Sequence, residues 1–354
     1  MLHTLAPPPY LSGGGLPRRG LLRAGAGLLG AGLAPSFLAA VARAQTAPAA
    51  AGAITVTLLG TGSPNPNPVR FSAATLVQAG GFDMLFDAGR GCAIRLRQLG
   101  VRLGGVSPVF LTHFHSDHIG GLPDVWATSY IQTPYGSRRE PMVLIGPEGT
   151  RHLATNMRAA FDADIRIRIR MADEGTPEAA TRIEARDFGG DGVVFEANGV
   201  TVTAFAVNHG PLIRPACGYR IDAGGRSVLL SGDTKFDEAV VRHGTGVDLL
   251  IHEVCAAPPE ALERPHNRAI MEHHTSPEEA GTVFSRAGPK LAAYSHVIQL
   301  TPNGSTVPDP APIEAATRRT YAGPLVVGED LMRFVIGATV AVQRWDAARR
   351  GYPG

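Results

Sequence analysis

The chain runs from three consecutive apolar residues, Val109-Phe110-Leu111, through Thr112 into His113-Phe114-His115-Ser116-Asp117-His118, and no other passage constrains the fold as strongly. The apolar run reads as a buried strand. After a strand, residues two apart point the same way, so His113 and His115 can grip one cation. Asp117 and His118, past the bend, can hold a second ion at the roughly 3.5–4 Å separation of two-metal hydrolytic sites. Four metal-ligand side chains within six residues require a frame that brings further donors to the same strand end.

Such donors recur along the chain after other apolar runs. His209 follows the strand pattern Val200–Val207, Asp233 in Ser231-Gly232-Asp233-Thr234 follows Ser227–Leu230, and His296 follows Leu291-Ala292-Ala293-Tyr294. Short loops after strands place side chains on a rigid frame, which makes these the natural partners of the first cluster. Further strands are expected at Ile54–Leu59, Ala74–Gln78, Asp83–Phe86, Val106–Thr112, Met142–Ile145 and Gly218–Ile221. Helices are expected at Cys92–Leu99, Thr150–Phe161, Phe236–His243, Ser276–Ala287 and Ala311–Tyr321. Strands followed by helices throughout predict an α/β protein with a two-layered sheet core. With 354 residues, 44% of them hydrophobic, the chain is long enough to bury one.

The first 44 residues differ from the rest. They carry no acidic residue; Arg18-Arg19 is followed by Leu21, Leu22 and Arg23, then by a Gly/Ala/Leu stretch to Val41, and Ala42-Arg43-Ala44 has the small-x-small form of a cleavage site. The passage resembles a twin-arginine export signal, with Pro17 departing from the usual Ser or Thr before the pair. Its many glycines and Pro35 make it a poor spanning helix. The expected organisation is a signal over 1–44, an Ala-rich linker over 45–53, a hydrolase domain over 54–340 and a tail over 341–354. The expected destination is the periplasm or cell surface, with no stable membrane insertion after cleavage. Losing Arg18, Arg19, Arg23 and Arg43 takes the formal charge from +2 to −2, so the mature chain is not a globally basic nucleic-acid binder. The one basic stripe, Arg166, Arg168 and Arg170 alternating with Ile165, Ile167 and Ile169, reads as an amphipathic strand with its polar face in water. Cys92, Cys217 and Cys255 define no disulfide framework and no CxxC pair.

Taken in order, HxHxDH, a later His, a Gly-Asp-Thr aspartate and a final Ser-His resemble the metallo-β-lactamase superfamily. The wording is most similar to ribonuclease Z and its arylsulfatase-like relatives, in Leu59-Gly-Thr-Gly-Ser63, Phe86-Asp-Ala-Gly89, Thr112 to Pro123, Gly232-Asp-Thr234, His252-Glu253 and His274-Thr-Ser276. The resemblance implies a four-layer αββα sandwich with the metals between the sheets. It implies His113, His115 and His209 on one zinc, Asp117, His118 and His296 on the other, and Asp233 bridging, with Mn²⁺ or Fe²⁺ also compatible with these donors. A water between the two cations would then be the nucleophile. Asp87 matches an acid that orients a ligating His. Glu253 and His274 match a pair that assists the leaving group, although His252 and His273 stand beside them. Asp117, Glu253 and His274 are thus the residues expected to act in the reaction itself.

The departures bear on the substrate. Ribonuclease Z carries a long basic arm for tRNA, whereas only about sixty residues separate Gly146 from His209 here. The expected substrate is a small phosphodiester or aryl sulfate ester and not tRNA. A lactone or other carboxylic ester is the enzymatic alternative, and a metal-binding scaffold without chemistry the other. A homodimer is the resemblance's expectation. Pocket chemistry is expected from Pro64–Phe71, Trp126–Arg139 and His209–Ala216; Phe71, Trp126, Tyr130 and Tyr135 are candidates to stack on a flat substrate, although a plain core or surface place is the favoured reading of each.

Overall fold

A computed structural model describes residues 54–171 and 175–353; the expected export signal and linker lie outside the described residues. The strands among them are β1 (Ile54–Gly60), β2 (Ala74–Ala79), β3 (Phe82–Phe86), β4 (Val106–Phe110), β5 (Met142–Pro147), β6 (Ile183–Phe188), β7 (Gly192–Ala197), β8 (Val200–Ala206), β9 (Cys217–Ala223), β10 (Arg226–Leu230), β11 (Leu249–Ala256), β12 (Leu291–Thr301), β13 (Gly304–Ser305), β14 (Leu325–Val327), β15 (Arg333–Ile336) and β16 (Val340–Gln343). One sheet runs β16-β15-β1-β2-β3-β4-β5-β6. The other runs β13-β12-β11-β10-β9-β8-β7, with β14 beside β12. Both are mixed: β3 to β6 are mutually parallel, as are β10 to β12 and the pair β12–β14, and the other neighbours, including the long-range pair β1–β15, are antiparallel.

The alternation of each strand sorts its side chains into layers. Ile54, Val56 and Leu58 of β1, with Phe86 and Phe110, face Val202, Tyr219, Ile221 and Leu230 of the opposite sheet, which makes the inter-sheet core. The outward residues Leu59, Leu76, Leu85 and Val109 meet helices Cys92–Gln98, Leu122–Tyr130 and Thr150–Ala160. On the far side, Leu229, Leu250, Ala292 and Tyr294 meet helices Glu238–Gly244, Pro277–Ala287 and Pro310–Thr317. The result is the four-layer αββα sandwich that the resemblance implies, with the two-layered sheet core expected from the strand and helix pattern.

This core sets the height of the metal-ligand motif. Phe86 and Phe110 stack at 4.6 Å, Tyr219 meets both edge-on at 5.3 and 5.5 Å, and the Tyr219 hydroxyl donates to the Leu111 carbonyl at 2.5 Å. Aromatic pairs of this kind are worth about 0.5–1.5 kcal/mol beyond their burial. The chain therefore leaves β4 at Leu111 on a fixed floor.

Three expectations meet a different structure. Asp162–Arg170 is a helix and not an alternating strand, because Asp162 and Asp164 open it and pair one turn on with Arg166 at 2.9 Å and Arg168 at 3.3 Å. Only Ile165 is buried there; Ile167 is exposed. Trp126 and Tyr130 are fully buried against each other and Phe161, with the Tyr130 hydroxyl donating to Asp164 at 2.7 Å, so neither is available to a substrate. Phe71 and Tyr135 each have one ring face covered by a guanidinium, of Arg95 at 4.1 Å and of Arg97 at 4.0 Å. The strand Val340–Gln343 pairs with β15 across the expected boundary at 340, and Tyr352 donates to the Leu331 carbonyl. Among the described residues no helix is long and apolar enough to cross a membrane.

Candidate metal centre and active-site cavity

The seven expected metal ligands meet at one end of the sandwich, and six are nearly or fully buried. Each arrives by a different local device. His113 and His115 leave β4, while Asp117 and His118 sit on the short helix Ser116–Ile119. Asp233 follows Gly232, whose φ of +62° turns the chain sharply after β10; a Cβ there would stand 2.4 Å from the Cys217 carbonyl oxygen. His296 does not follow its strand as the apolar run suggested. It lies inside β12, where the pairing slips between His252–Tyr294 and Val254–Val297, and it adopts a φ of +46°. This bulge aims its ring at the cluster, a strained conformation held by the strands around it.

One oxygen organises the cluster. Asp233 Oδ2 lies 3.2 Å from His118 Nε2, 3.3 Å from His296 Nε2, 3.7 Å from His209 Nε2 and 3.9 Å from His113 Nε2. The donors divide around it into His113, His115 and His209 on one side and Asp117, His118 and His296 on the other, with candidate ligand atoms within 4.8 Å of one another in each group. Asp117 Oδ2 is 3.1 Å from His296 Nε2. Hydrogen bonds at the outer nitrogens point the inner ones at the centre. His118 Nδ1 donates to Asp87 Oδ2 at 2.7 Å, and His209 Nδ1 to the His273 carbonyl at 2.8 Å. The Thr112 hydroxyl donates to Asp87 at 2.8 Å and so accepts from His113 Nδ1 at 2.9 Å.

What remains on the inside fits cations. His113 Nε2, His118 Nε2 and Asp117 Oδ1 are buried without a hydrogen-bond partner, and orphaned polar atoms of this kind are costly unless something binds them. Burial and neighbouring imidazoles drive His113 well below the usual histidine range, so it presents a lone pair. Burial holds His209 down, to about 4, with the same result. For His118 burial opposes the charge, yet Asp233, Asp87 and Asp117 overcome it and hold the ring well above its usual range. Burial opposes the charge on Asp233 too, and His118 and His296 keep it ionised well below the ordinary carboxylate value. An ionised carboxylate among imidazoles, of which His113 and His209 are held neutral, is the donor set of a divalent metal, and a cation would displace the proton that the carboxylates hold on His118.

Next to the metal ligands stands a second pair. Glu253 is buried on β11, where Oε1 accepts from His274 Nδ1 and the Thr275 N–H at 3.1 Å and the Thr234 N–H at 3.3 Å. Burial together with Asp233 raises its carboxyl well above the usual range. The His274 ring is stacked 5.5 Å from that of His296 and faces the opening. His274, and not His273, meets Glu253; His273 instead serves through its carbonyl to hold His209. His252 is fully buried, with its ring edge-on to Phe284 and Nδ1 on the Glu253 carbonyl.

A cavity of about 680 Å³ opens from this centre, with His115, His209, His274 and His296 at its floor. Of the loops expected to shape it, Pro64–Phe71 contributes Pro64 and Asn65 and His209–Ala216 contributes Ile213, while Trp126–Arg139 contributes nothing. Helix Pro265–Met271 and the β12–β13 hairpin were missed as walls. His266 and Ile270, four apart behind Pro265, were the available helical signal.

Comparison with known proteins agrees with this geometry. Residues 83–297 match the family described as Beta-lactamase superfamily domain. The chain is 36% identical over 265 residues to the Ribonuclease Z of Mycolicibacterium gilvum (strain PYR-GCK), covering 75% of this chain and 90% of that one. Among solved structures it resembles the metallo-β-lactamase fold protein YhfI of Bacillus subtilis (TM-score 0.60, 18% identity, 80% of this chain and 100% of that one) and the short form of human tRNase Z (TM-score 0.58, 22% identity, 80% and 98%). The chain belongs to the metallo-β-lactamase superfamily, as a metal-dependent hydrolase of ester bonds whose relatives include ribonucleases Z.

Proposed function

We propose that the chain is a dinuclear zinc hydrolase of small phosphodiesters, exported through its twin-arginine leader. The observation that carries the reading is the convergence of four imidazole nitrogens on the single oxygen Asp233 Oδ2, with a complete donor set on each side of it. His113, His115 and His209 would hold one ion, Asp117, His118 and His296 the other, and Asp233 would serve both. When bound, such a pair of cations lowers the pKa of water toward neutrality and takes up the negative charge that builds on a phosphoryl group.

The remaining work falls to this chain's own residues. His274, aligned by Glu253, stands where it can pass a proton to the departing oxygen. Nδ1 is anchored on Glu253, so a proton can pass only through the other nitrogen; burial holds the ring down, to about 4, so it must take that proton up during the reaction and does not carry it beforehand. The relatives' name supports a phosphodiester, since RNA cleavage is phosphodiester hydrolysis. The stretch between Gly146 and His209 supports a small one. Its described residues fold back as the helices Thr150–Ala160 and Asp162–Arg170 and the strands β6 to β8, and Arg166 and Arg168 are engaged by Asp162 and Asp164.

The test is metal content and turnover on the mature chain from Gln45, using bis(p-nitrophenyl) phosphate, p-nitrophenyl sulfate, a lactone and nitrocefin, with Asp233→Ala as control. Two zinc ions per chain and a preference for the diester, both lost in the variant, are expected. One ion per chain, or a preference for the lactone, overturns the reading. N-terminal sequencing of the protein from an export-competent host checks the leader.

A further inference from the structure

The cavity in front of the metal ligands has a composition unlike that of a nucleic-acid site. Its walls away from the floor carry the apolar side chains Ile213, Ile270, Ile298, Leu300 and Pro64, with Ser63, Asn65, Asn267 and Asn303 as uncharged polar groups and the imidazoles of His266 and His273 beside them. Among the described residues no lysine or arginine lines it, and its only acidic side chain is Asp233 at the floor. A site that grips a polyanion needs cations to exchange for the counterions of each phosphate. A charged substituent placed here would lose its hydration and meet hydrocarbon, whereas an apolar one would gain roughly 0.8 kcal/mol for each methylene buried.

The walls are also built in advance. Ile298 and Leu300 lie two apart on β12, on one face, packed with Cys255 and Ala261. The buried side chain of Asn267 donates to the Ala261 carbonyl at 2.8 Å and the Thr301 carbonyl at 3.0 Å, which ties helix Pro265–Met271 to the end of the same strand. Ile213 belongs to a different loop, in which the preceding residue, Leu212, is 91% exposed. A volume of about 680 Å³ falls within the range of sites that enclose drug-sized molecules.

We infer that this cavity receives an uncharged hydrocarbon substituent of the ester, an aryl ring or an alkyl chain, seated between Ile270 and Ile213 beside the bond held at Asp233. The inference rests on the hydrolase reading and narrows its substrate to amphipathic esters, polar at the metal centre and apolar beyond it.

Calorimetric binding of phosphonates to the metal-loaded chain tests this without turnover. The probes are methyl-, hexyl- and phenylphosphonate together with 5-carboxypentylphosphonate. Hexyl- and phenylphosphonate are expected to bind about tenfold or more tighter than methylphosphonate, and the added carboxylate to cancel the gain. Ile270→Lys should reverse the order between the hexyl and carboxypentyl probes at unchanged metal content, and Ile213→Ser, in a loop, should weaken hexyl binding alone. Equal affinity for methyl and hexyl probes, or tighter binding of the carboxylate chain to the unaltered protein, overturns the inference. Chain-length preference without diester turnover removes the phosphodiesterase reading and keeps the inference; diester turnover without chain-length preference does the opposite.

Discussion

The Asp87 carboxylate lies 2.7 Å from His118 Nδ1, and the same oxygen accepts the Thr112 hydroxyl while its twin accepts the Thr112 N–H, each at 2.8 Å. Asp87 follows β3 in a left-handed conformation, with φ at +56°. One residue at the end of a neighbouring strand thus fixes both halves of the ligand motif, the turn before His113 directly and His118 through its ring.

Asp87→Asn should therefore cost metal affinity before it costs the fold. The amide keeps an acceptor for Thr112 but loses the charge that orients His118. Outer partners of ligating histidines are worth about 10–100-fold in metal affinity. Equilibrium dialysis against a competing chelator reads this directly, and unchanged affinity would show that His118 is positioned by packing alone.

His274→Ala should lower kcat by about 10²–10⁴ on substrates with a poor leaving group and much less on nitrophenyl esters, whose leaving oxygen needs no proton. Glu253→Gln should follow the same pattern more weakly. Metal content separates this from a lost ligand, because His274 also stands within reach of Asp233 and His296. An equal loss on both substrate types, at full metal content, would remove the proton-transfer role.

A second carboxylate governs the cavity wall. Asp330 accepts from the Thr61 N–H and hydroxyl at 2.9 and 2.8 Å, from the Phe71 N–H at 2.8 Å and from Arg95 at 2.9 Å, and so pins both ends of the loop that carries Pro64 and Asn65. Asp330→Ala leaves buried Thr61 and its partners unsatisfied and should cost about 3–5 kcal/mol in urea unfolding. The milder Asp330→Asn should raise KM with kcat nearly unchanged. A fall in kcat at constant KM would place the effect at the metal centre instead.

Much of the catalytic end was legible because its residues are local in sequence or sit at strand ends. The alternation in β1 and β8 and the run into His113 each announced themselves. What escaped depends on partners far along the chain. The alternating arginines read as a strand until Asp162 and Asp164, four residues ahead of Arg166 and Arg168, are weighed as helix pairs. Trp126 and Tyr130 take the core places that the sequence favoured over stacking, but the partners that cover them, Phe161 and Asp164, could not be named from their own neighbourhood. The bulge at His296 is set by β11 and has no local signature.

The three cysteines are free and buried, and this shapes the alkaline limit of stability. Burial pushes the Cys92 thiol from 9.0 up to about 12, and burial raises Cys217 and Cys255 in the same direction. In the unfolded chain these thiols ionise near 9, while in the folded chain they keep their protons. Above pH 9 the unfolded state therefore binds fewer protons, and stability present below that pH falls as pH rises toward the folded value. At pH 10 the loss is about 1.4 kcal/mol for a thiol shifted by this much. Urea unfolding at pH 8, 9 and 10 should show the decline, and Cys92→Ala, less stable at pH 8, should lose stability less steeply. Ellman's reagent at pH 8 should find no thiol in the native protein and three after unfolding. Parallel pH slopes for the two proteins would mean that Cys92 does not carry its share of the alkaline transition.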